Sequence, residues 1–417
     1  MRTKTADRGN VVVGLDLGTT KIGAVIAEAA GDQVKIIGVG TSPSSGLRRG
    51  MVIDVEKTVQ AVRKAMGEAE LMAGVQVTAV YAGIAGEHVT SRNSRGVVAV
   101  SGSDGEITAG DKERVIEAAR AVSVEGGRQV LHVLPQEFSV DEQGGIRDPV
   151  GIAGVRLEAS VHLVTGSITS VQNISKSILR AGYEVREVVL APLASSFAVI
   201  DEDEREMGVC LIDIGGGTTD MALYSQGSLH HTRVIGLGGQ NVTNDVAIGL
   251  RTSWSQAEQA KCAFGVALAE QVPKDERIEV PGVAGRQAQA VPRRRLAEII
   301  EVRMEEIFGL VRGDLHRLGL SGRLGAGVVL TGGGSLLAGV ADLAERVFDL
   351  PVRLGVPHRL GGMSDRVTSP IFATALGLVL FGMEDLQLGV QPATRETVVA
   401  ARGGWWRNVK EWIDELT

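Results

Sequence analysis

Two short segments of the chain end an apolar run in aspartate and then turn through glycine and threonine: Asp16-Leu17-Gly18-Thr19-Thr20-Lys21 and Asp213-Ile214-Gly215-Gly216-Gly217-Thr218-Thr219-Asp220. Such a tip gathers backbone N–H groups and hydroxyls around one point, which suits phosphate oxygens, and glycine lets backbone come close. Taken singly the first segment is a weak signal, because Asp-Gly-Thr turns end hairpins in many proteins; the second is stronger. Facing one another across a cleft, the two tips would grip a polyphosphate from both sides. Asp16 and Asp213 would then hold Mg²⁺ mostly through waters, as magnesium prefers. Lys21 either reaches a phosphate as a point charge or solvates a hairpin tip. A third segment, Val328-Val329-Leu330-Thr331-Gly332-Gly333-Gly334-Ser335, sets three glycines between a buried strand and a helix. There a flat, bulky ligand can lie against backbone, or the chain simply turns.

The elements that must carry these tips are legible in the periodicity. VVVGLDL and KIGAVIAE are β-rich runs joined at Gly-Thr-Thr, and a similar block returns at Val209, so the chain reads as two related α/β halves. Helical periodicity covers residues 55–73, 109–121 and 167–181, the last followed by the strand EVREVVLAP. Residues 87–165 mix short strands with one helix and read as an inserted subdomain. Residues 239–324 are helix-rich, with a connecting segment VPKDERIEVPGVAG, and a last apolar helix closes the body near Gly382.

Composition narrows the class. A chain of 417 residues with 22% charged and 44% hydrophobic residues and a net charge of -7 is neither disordered nor a strongly basic nucleic-acid binder. Two cysteines without a CxxC companion give no disulfide framework and no zinc site, and His230-His231 lacks a third ligand at useful spacing. No run of eighteen apolar residues and no signal-peptide core is present, which points to the cytoplasm. Arg293-Arg294-Arg295 opens a helix whose next turns carry Glu298, Glu301, Glu305 and Glu306, a pattern of a solvated face or a protein contact.

The three turn motifs in this order resemble the phosphate 1, phosphate 2 and adenosine motifs of the actin, sugar-kinase and heat-shock-chaperone superfamily. Within it the chain is most similar to the FtsA family of bacterial cell-division proteins, from Val11 to Thr417. The segments His132-Val133-Leu134-Pro135-Gln136-Glu137-Phe138, Asp148-Pro149-Val150-Gly151 and Gly154-Val155-Arg156-Leu157 look like that family's inserted subdomain. Ala257-Glu258-Gln259-Ala260-Lys261, ending at Gly265, is similar to its nucleoside-contacting helix, and Ser369-Pro370-Ile371-Phe372-Ala373-Thr374-Ala375 to its closing helix.

The resemblance implies an α/β, duplicated actin-like (ribonuclease-H-like) fold, with two lobes around a nucleotide cleft, an inserted α+β subdomain and a C-terminal amphipathic helix. The implied domains are a first core subdomain at 1–86 and 166–207, the insertion at 87–165, and a second core subdomain at 208–238 and 325–383. A helical nucleoside- and partner-binding subdomain follows at 239–324, a flexible linker at 384–404 and a membrane-targeting helix at 405–417. ATP and Mg²⁺ are the implied cofactors. Their site takes in Asp16, Gly18, Thr19, Thr20, Lys21, Asp213, Gly215, Gly216, Gly217, Thr218, Thr219, Gly239, Glu258, Lys261, Gly332, Gly333 and Gly334. Implied partners are FtsZ at the helical subdomain, other copies in a filament, cytoplasmic membrane lipids, and further division proteins at the insertion, all at the inner face of the membrane at the septum. No nucleic acid is implied.

Read from the residues alone, Glu258 and Lys261 share a helix face at i, i+3, so one accepts from ribose hydroxyls while the other packs beside the base, or they form a surface ion pair. In the tail, with about 100° per residue, Trp405, Trp406, Val409, Trp412, Ile413 and Leu416 fall in an arc of about 120°. Gly403-Gly404 uncouples this helix, and tryptophan belongs at bilayer interfaces. Docking on the protein's own body or on a partner is the alternative. No residue stands out as a catalytic base. An adaptor with at most weak ATPase activity is therefore expected over a small-molecule kinase or phosphatase, and the tail favours it over an FtsA-like pilus-assembly adaptor.

Overall fold

Short β-branched runs separated by glycine turns build the first strands in sequence: β1 (Val11–Leu17), β2 (Lys21–Ala30) and β3 (Gln33–Pro43). The computed structural model describes residues 4–5 and 11–387, apart from 31–32, 103, 123, 283–286, 359 and 363. Helix α1 (Val55–Ala73) is fixed at both ends, by the Asp54 side chain accepting from Lys57 N–H and by Gly74 in the left-handed conformation. Strand β4 (Ala79–Ile84) then pairs parallel to β1. The chain leaves this sheet for β5 (Thr90–Ala99), α2 (Ala109–Arg120), β6 (Arg128–Val140), β7 (Gln143–Ile146) and β8 (Arg156–Ser167). It returns through α3 (Ile168–Ala181), capped by Ser167, to β9 (Glu184–Leu190) and α4 (Ala191–Val199).

The second half repeats the plan. Strands β10 (Val209–Ile214), β11 (Thr219–Ser225) and β12 (Ser228–Ile235) form an antiparallel meander. Helices α5 (Gly239–Gly249), α6 (Trp254–Phe264) and α7 (Arg293–Arg317) lead to β13 (Val328–Thr331), α8 (Val340–Phe348) and β14 (Val352–Leu354). Strand β15 (Leu360–Gly362) crosses back to pair with β3, and α9 (Ala373–Gln387) follows.

The sheet orders establish the duplication. The first lobe reads β9-β4-β1-β2-β3-β15 and the second β12-β11-β10-β13-β14, so each has a three-stranded meander continued by two parallel strands. The inserted sheet, β7-β6-β8-β5, has its own small core around Val115, Phe138, Leu157 and Val161. It is seated on β12 of the second lobe: Ser91 Oγ donates to Thr232 O (2.8 Å), His162 Nε2 lies 3.0 Å from Thr232 Oγ1, and Gln136 Nε2 donates to His230 O (3.1 Å). One core cluster contains residues of both lobes, bridged by α4 and α9. These two helices cross so closely at Gly377 that a Cβ there would strike the Ala194 carbonyl.

Two segments differ from the periodicity reading. The connecting segment after α6 is part of a hairpin, Arg277–Val280 with Gln289–Pro292, whose register pairs Glu279 with Ala290. Helix α9 continues through Glu384–Gln387, where a linker is expected, because Tyr81 Oη donates to Asp385 Oδ2 (2.7 Å) and holds the last turn against β4. The tail residues Trp405, Trp406, Val409, Trp412, Ile413 and Leu416 lie outside the described residues.

Candidate functional site

The β1–β2 and β10–β11 tips meet at the floor of a cleft of about 650 Å³ between the lobes, with α6 and the turn after β13 forming its walls. Each expected nucleotide residue but Thr219 lines this cavity. Thr219 begins β11, so strand alternation turns its side chain away from its neighbours Thr218 and Asp220. It is fully buried and donates to Leu237 O at 2.9 Å.

The two tips touch. A Cβ on Gly216 would fall on the Thr20 hydroxyl, and one on Gly217 would lie 2.7 Å from Thr19 Oγ1. Sequence reasoning assigns these glycines to the close approach of a ligand; in the structure the opposite tip already demands them. The turn after β13 divides similarly. A Cβ on Gly332 would collide with Asp213 and one on Gly334 with Ile214, whereas at Gly333 it would meet nothing nearer than Ile371 Cγ2 at 3.8 Å. Gly333 is therefore the glycine of this turn that leaves backbone free for a flat ligand.

Three carboxyls converge on the cleft floor. Asp213 is held from both interlobe helices, accepting from Ser195 Oγ on α4 (2.7 Å) and Thr374 Oγ1 on α9 (3.3 Å). Asp220 is its direct cross-strand partner in the β10–β11 register, so the two carboxyls share one face of the hairpin. Asp220 accepts from Thr218 Oγ1 at 3.4 Å, and its Oδ1 is buried without a partner. Burial pushes all three acids up, Asp16 to about 6 and Asp220 well above its ordinary value, with the Asp213 charge adding at Asp16 and Asp220.

Lys21 is the cation beside them, and it solvates nothing. Its Nζ donates to Ile371 O (2.8 Å) and sits 4.1 Å from the centre of the Phe372 ring, with burial pulling its pKa down while Asp16 and Asp213 oppose that. Buried acids outnumber their counter-charge here and one has an orphaned oxygen, yet among the described residues no three ligating side chains come close enough to hold a metal directly, so a cation at this floor would be held largely through water.

On the α6 wall, Lys261 Nζ donates to Glu258 Oε2 (2.7 Å), Thr243 Oγ1 (2.9 Å) and Gly239 O (3.1 Å). Both alternatives for this pair thus hold in part: it is an ion pair, and it is half-buried on the cavity wall. Burial alone would raise the Glu258 carboxyl, but the Lys261 and Thr243 hydrogen bonds hold it below its usual range. The start of α5 is locked to the second tip, since Gly239 N–H donates to Gly215 O (2.9 Å) and Gln240 N–H to Gly216 O (2.8 Å).

The structure adds Asp220, Ser195, Thr374, Trp254 and Arg293 to the residues that the sequence assigns to the site. Asp220 was within reach, because an acid at each foot of a hairpin tip lands on one face. Ser195 and Thr374 carried no local signal, as only the tertiary fold brings α4 and α9 to Asp213. Arg293 lines the cavity while donating to Phe264 O (2.8 Å) and pairing with Glu276, so the arginine cluster begins inside the site and continues on a solvated face.

Comparison with known proteins agrees with this architecture. A family model described as "Cell division protein FtsA" matches residues 210–377, and one described as "SHS2 domain inserted in FTSA" matches residues 86–165. The "Cell division protein FtsA" of Neisseria meningitidis serogroup B is 46% identical over 405 residues, covering 96% of this chain and 97% of that protein. Among solved structures, a PilM–PilN type IV pilus biogenesis complex shares the fold with a TM-score of 0.66 at 18% identity, covering 89% of this chain and 98% of that one. MreB5 of Spiroplasma citri bound to ADP shares it with a TM-score of 0.56 at 14% identity, covering 91% and 99%. The fold is the duplicated actin-like fold with an inserted domain. No helix among the described residues is long and apolar enough to cross a membrane.

Proposed function

The chain belongs to the FtsA family of cell-division proteins, and from that premise we propose that it binds ATP with Mg²⁺ in the interlobe cleft, polymerises, and tethers FtsZ to the cytoplasmic face of the membrane at the septum. The observation that carries the nucleotide part is the convergence of Asp16, Asp213 and Asp220 on the lining of one cleft, with Lys21 beside Asp16 and Asp213. Such a floor is electrostatically frustrated when empty, and a cation bound with a polyphosphate relieves it. Asp16 and Asp213 would hold Mg²⁺ largely through waters, and the bound ion supplies neutralisation of phosphate charge. The two tips would cradle phosphates between them, Glu258 would accept from ribose hydroxyls, and Gly333 would give the base a backbone face. Asp220, with an unpartnered oxygen on the cleft lining, is the group placed to take a proton from water. The chain's turnover is slow on this reading, since burial and the neighbouring acids oppose the ionised form of Asp220 and the other cleft groups position phosphate without activating a nucleophile.

The domain boundaries expected from the sequence assign FtsZ to residues 239–324 and other division proteins to residues 87–165. Membrane attachment falls to the tail, whose side chains from Arg402 to Thr417 sum to zero charge, three basic against three acidic. Attachment then rests on six large apolar side chains, each worth roughly 1.5–3 kcal/mol if fully buried, against ordering of about 1–2 kcal/mol per residue. One tail holds weakly; several on one filament bind in parallel and gain about 10²–10⁴ in avidity.

Equilibrium titration of ATP in Mg²⁺ tests the site: Asp213→Ala loses the Mg²⁺-dependent part of the affinity, and equal affinity of variant and parent refutes the metal role. Electron microscopy on anionic lipid with and without ATP tests the rest, lipid-bound filaments in ATP being the expected result. Turnover on the order of 10 per second with an added sugar or acid acceptor would instead select a kinase.

A further inference from the structure

Helix α6 presents two unlike faces. Ala257 and Ala260 are buried against the second-lobe core, and both are small. Trp254, Glu258, Lys261 and Cys262 recur at i, i+4, i+7 and i+8, and all four line the cleft. Trp254 is thus not a core residue: it is 47% exposed, one turn before Glu258, at the mouth of the cavity. Two residues after Gly334, Leu336 also lines the cavity and is 55% exposed. A chain with only 3% aromatic residues leaves its one tryptophan of the described region uncovered on the wall of this cavity. Exposed large apolar groups on a cavity wall mark a ligand's apolar part.

Resting on the nucleotide reading of the cleft, we infer that Trp254 is the base platform of the site, that it stacks on the nucleobase while Gly333 and Leu336 close the other face, and that it sets a preference for purine over pyrimidine nucleotides. Stacking depends on ring overlap, so a two-ring base gains more from the indole than a one-ring base does. Hydrogen-bond readout is not needed for that preference. The phosphate end of the ligand is held by the hairpin tips and owes nothing to Trp254.

Calorimetric titrations with Mg²⁺ and ATP, UTP or tripolyphosphate separate these contributions. Trp254→Ala weakens ATP by about tenfold, narrows the ATP-to-UTP ratio, and leaves tripolyphosphate unchanged; Trp254→Phe stays within about threefold of the parent for ATP. In a chain with Trp405, Trp406 and Trp412 replaced by phenylalanine, ATP changes the remaining tryptophan emission and tripolyphosphate does not. Unchanged ATP affinity in Trp254→Ala, with Asp213→Ala still losing ATP, overturns the platform and leaves the cleft reading standing. Equal loss of tripolyphosphate and ATP in Trp254→Ala also overturns it, since the effect is then not on the base. ATP binding indifferent to Asp213→Ala refutes the metal role, and ATP binding indifferent to both Asp213→Ala and Trp254→Ala overturns the cleft reading and the platform with it.

Discussion

Removing a charge from the cleft floor should make the ligand-free protein more stable, and Asp16→Asn is the clearest instance. Asp16 ionises at about 6 in the fold against an ordinary 3.8; burial is the main cause, Lys21 opposes it, and Asp213 adds to it. A carboxyl whose folded pKa is raised costs the fold nothing below the unfolded value, increasingly between 3.8 and about 6, and the full amount above that. A rise of about two pKa units corresponds to about 3 kcal/mol; the side chain is partly open to the cleft, so about 2 kcal/mol is the working figure once solvent screening is allowed for. Asparagine keeps the shape and loses the charge. Thermal unfolding in EDTA without nucleotide should show Asp16→Asn above the parent at pH 8, with the gap shrinking as pH falls toward 5. Adding Mg²⁺ and ATP at 100 times Kd should then stabilise the parent by about 2.7 kcal/mol and the variant by much less. A gap independent of pH, or a variant less stable than the parent at pH 8, refutes the electrostatic account of the cleft floor.

Gly216→Ala pushes a methyl group into the Thr20 hydroxyl and should destabilise by about 1–3 kcal/mol, part of which Thr20→Ala restores when the two are combined; thermal midpoints of the four proteins decide it. Asp220→Asn should retain ATP affinity within a few-fold while phosphate release falls by about 10²-fold or more, and an unchanged rate removes Asp220 from the chemistry. Trp412→Glu, which sets a charge in the middle of the tail's apolar arc, should release the protein from liposomes with ATP affinity intact. A polymerisation-defective chain with its tail intact should float with liposomes far less than the parent, and equal recovery means that one tail suffices.

How far the sequence carries depends on whether a feature is local. Both hairpins, α1, and the strand-turn-helix around Gly332 follow from periodicity and turn chemistry within a few residues, and the structure has them at those positions. The tip glycines were assigned a plausible reason that turned out incomplete, because contact between Gly216 and Thr20 joins positions nearly two hundred residues apart. Thr219 was included by adjacency in a motif, although period-two alternation already pointed it inward. The hairpin at Arg277–Val280 was read as a connector, since short strands flanked by Pro and Gly carry little periodic signal. Glu258 and Lys261 were paired correctly by spacing, but the third and fourth members of their network, Thr243 and the Gly239 carbonyl, belong to another helix.

The return of β15 to the edge of β3, with α9 packed over β1 and α4, has a consequence for how the chain folds. The strands of the second lobe come from one continuous stretch between Val209 and Leu354, but the sheet face that carries Leu211, Ala222 and Val329 is buried in the same cluster as α4 and α9. The first lobe is started earliest, yet its sheet lacks a strand and its inner face lacks a helix until residues 360–387 arrive from the far end of the chain. Neither lobe is therefore complete until α9 docks, although the amino-terminal one is synthesised first. Until the final helix docks, the apolar face of β1 stays open, which makes the nascent first lobe the species most exposed to aggregation and to holding by chaperones. Closing it joins residues of very high sequence separation, a slow step by topology, and that same step brings Thr374 to Asp213, so the cleft acquires its last hydrogen bond only when the fold is complete.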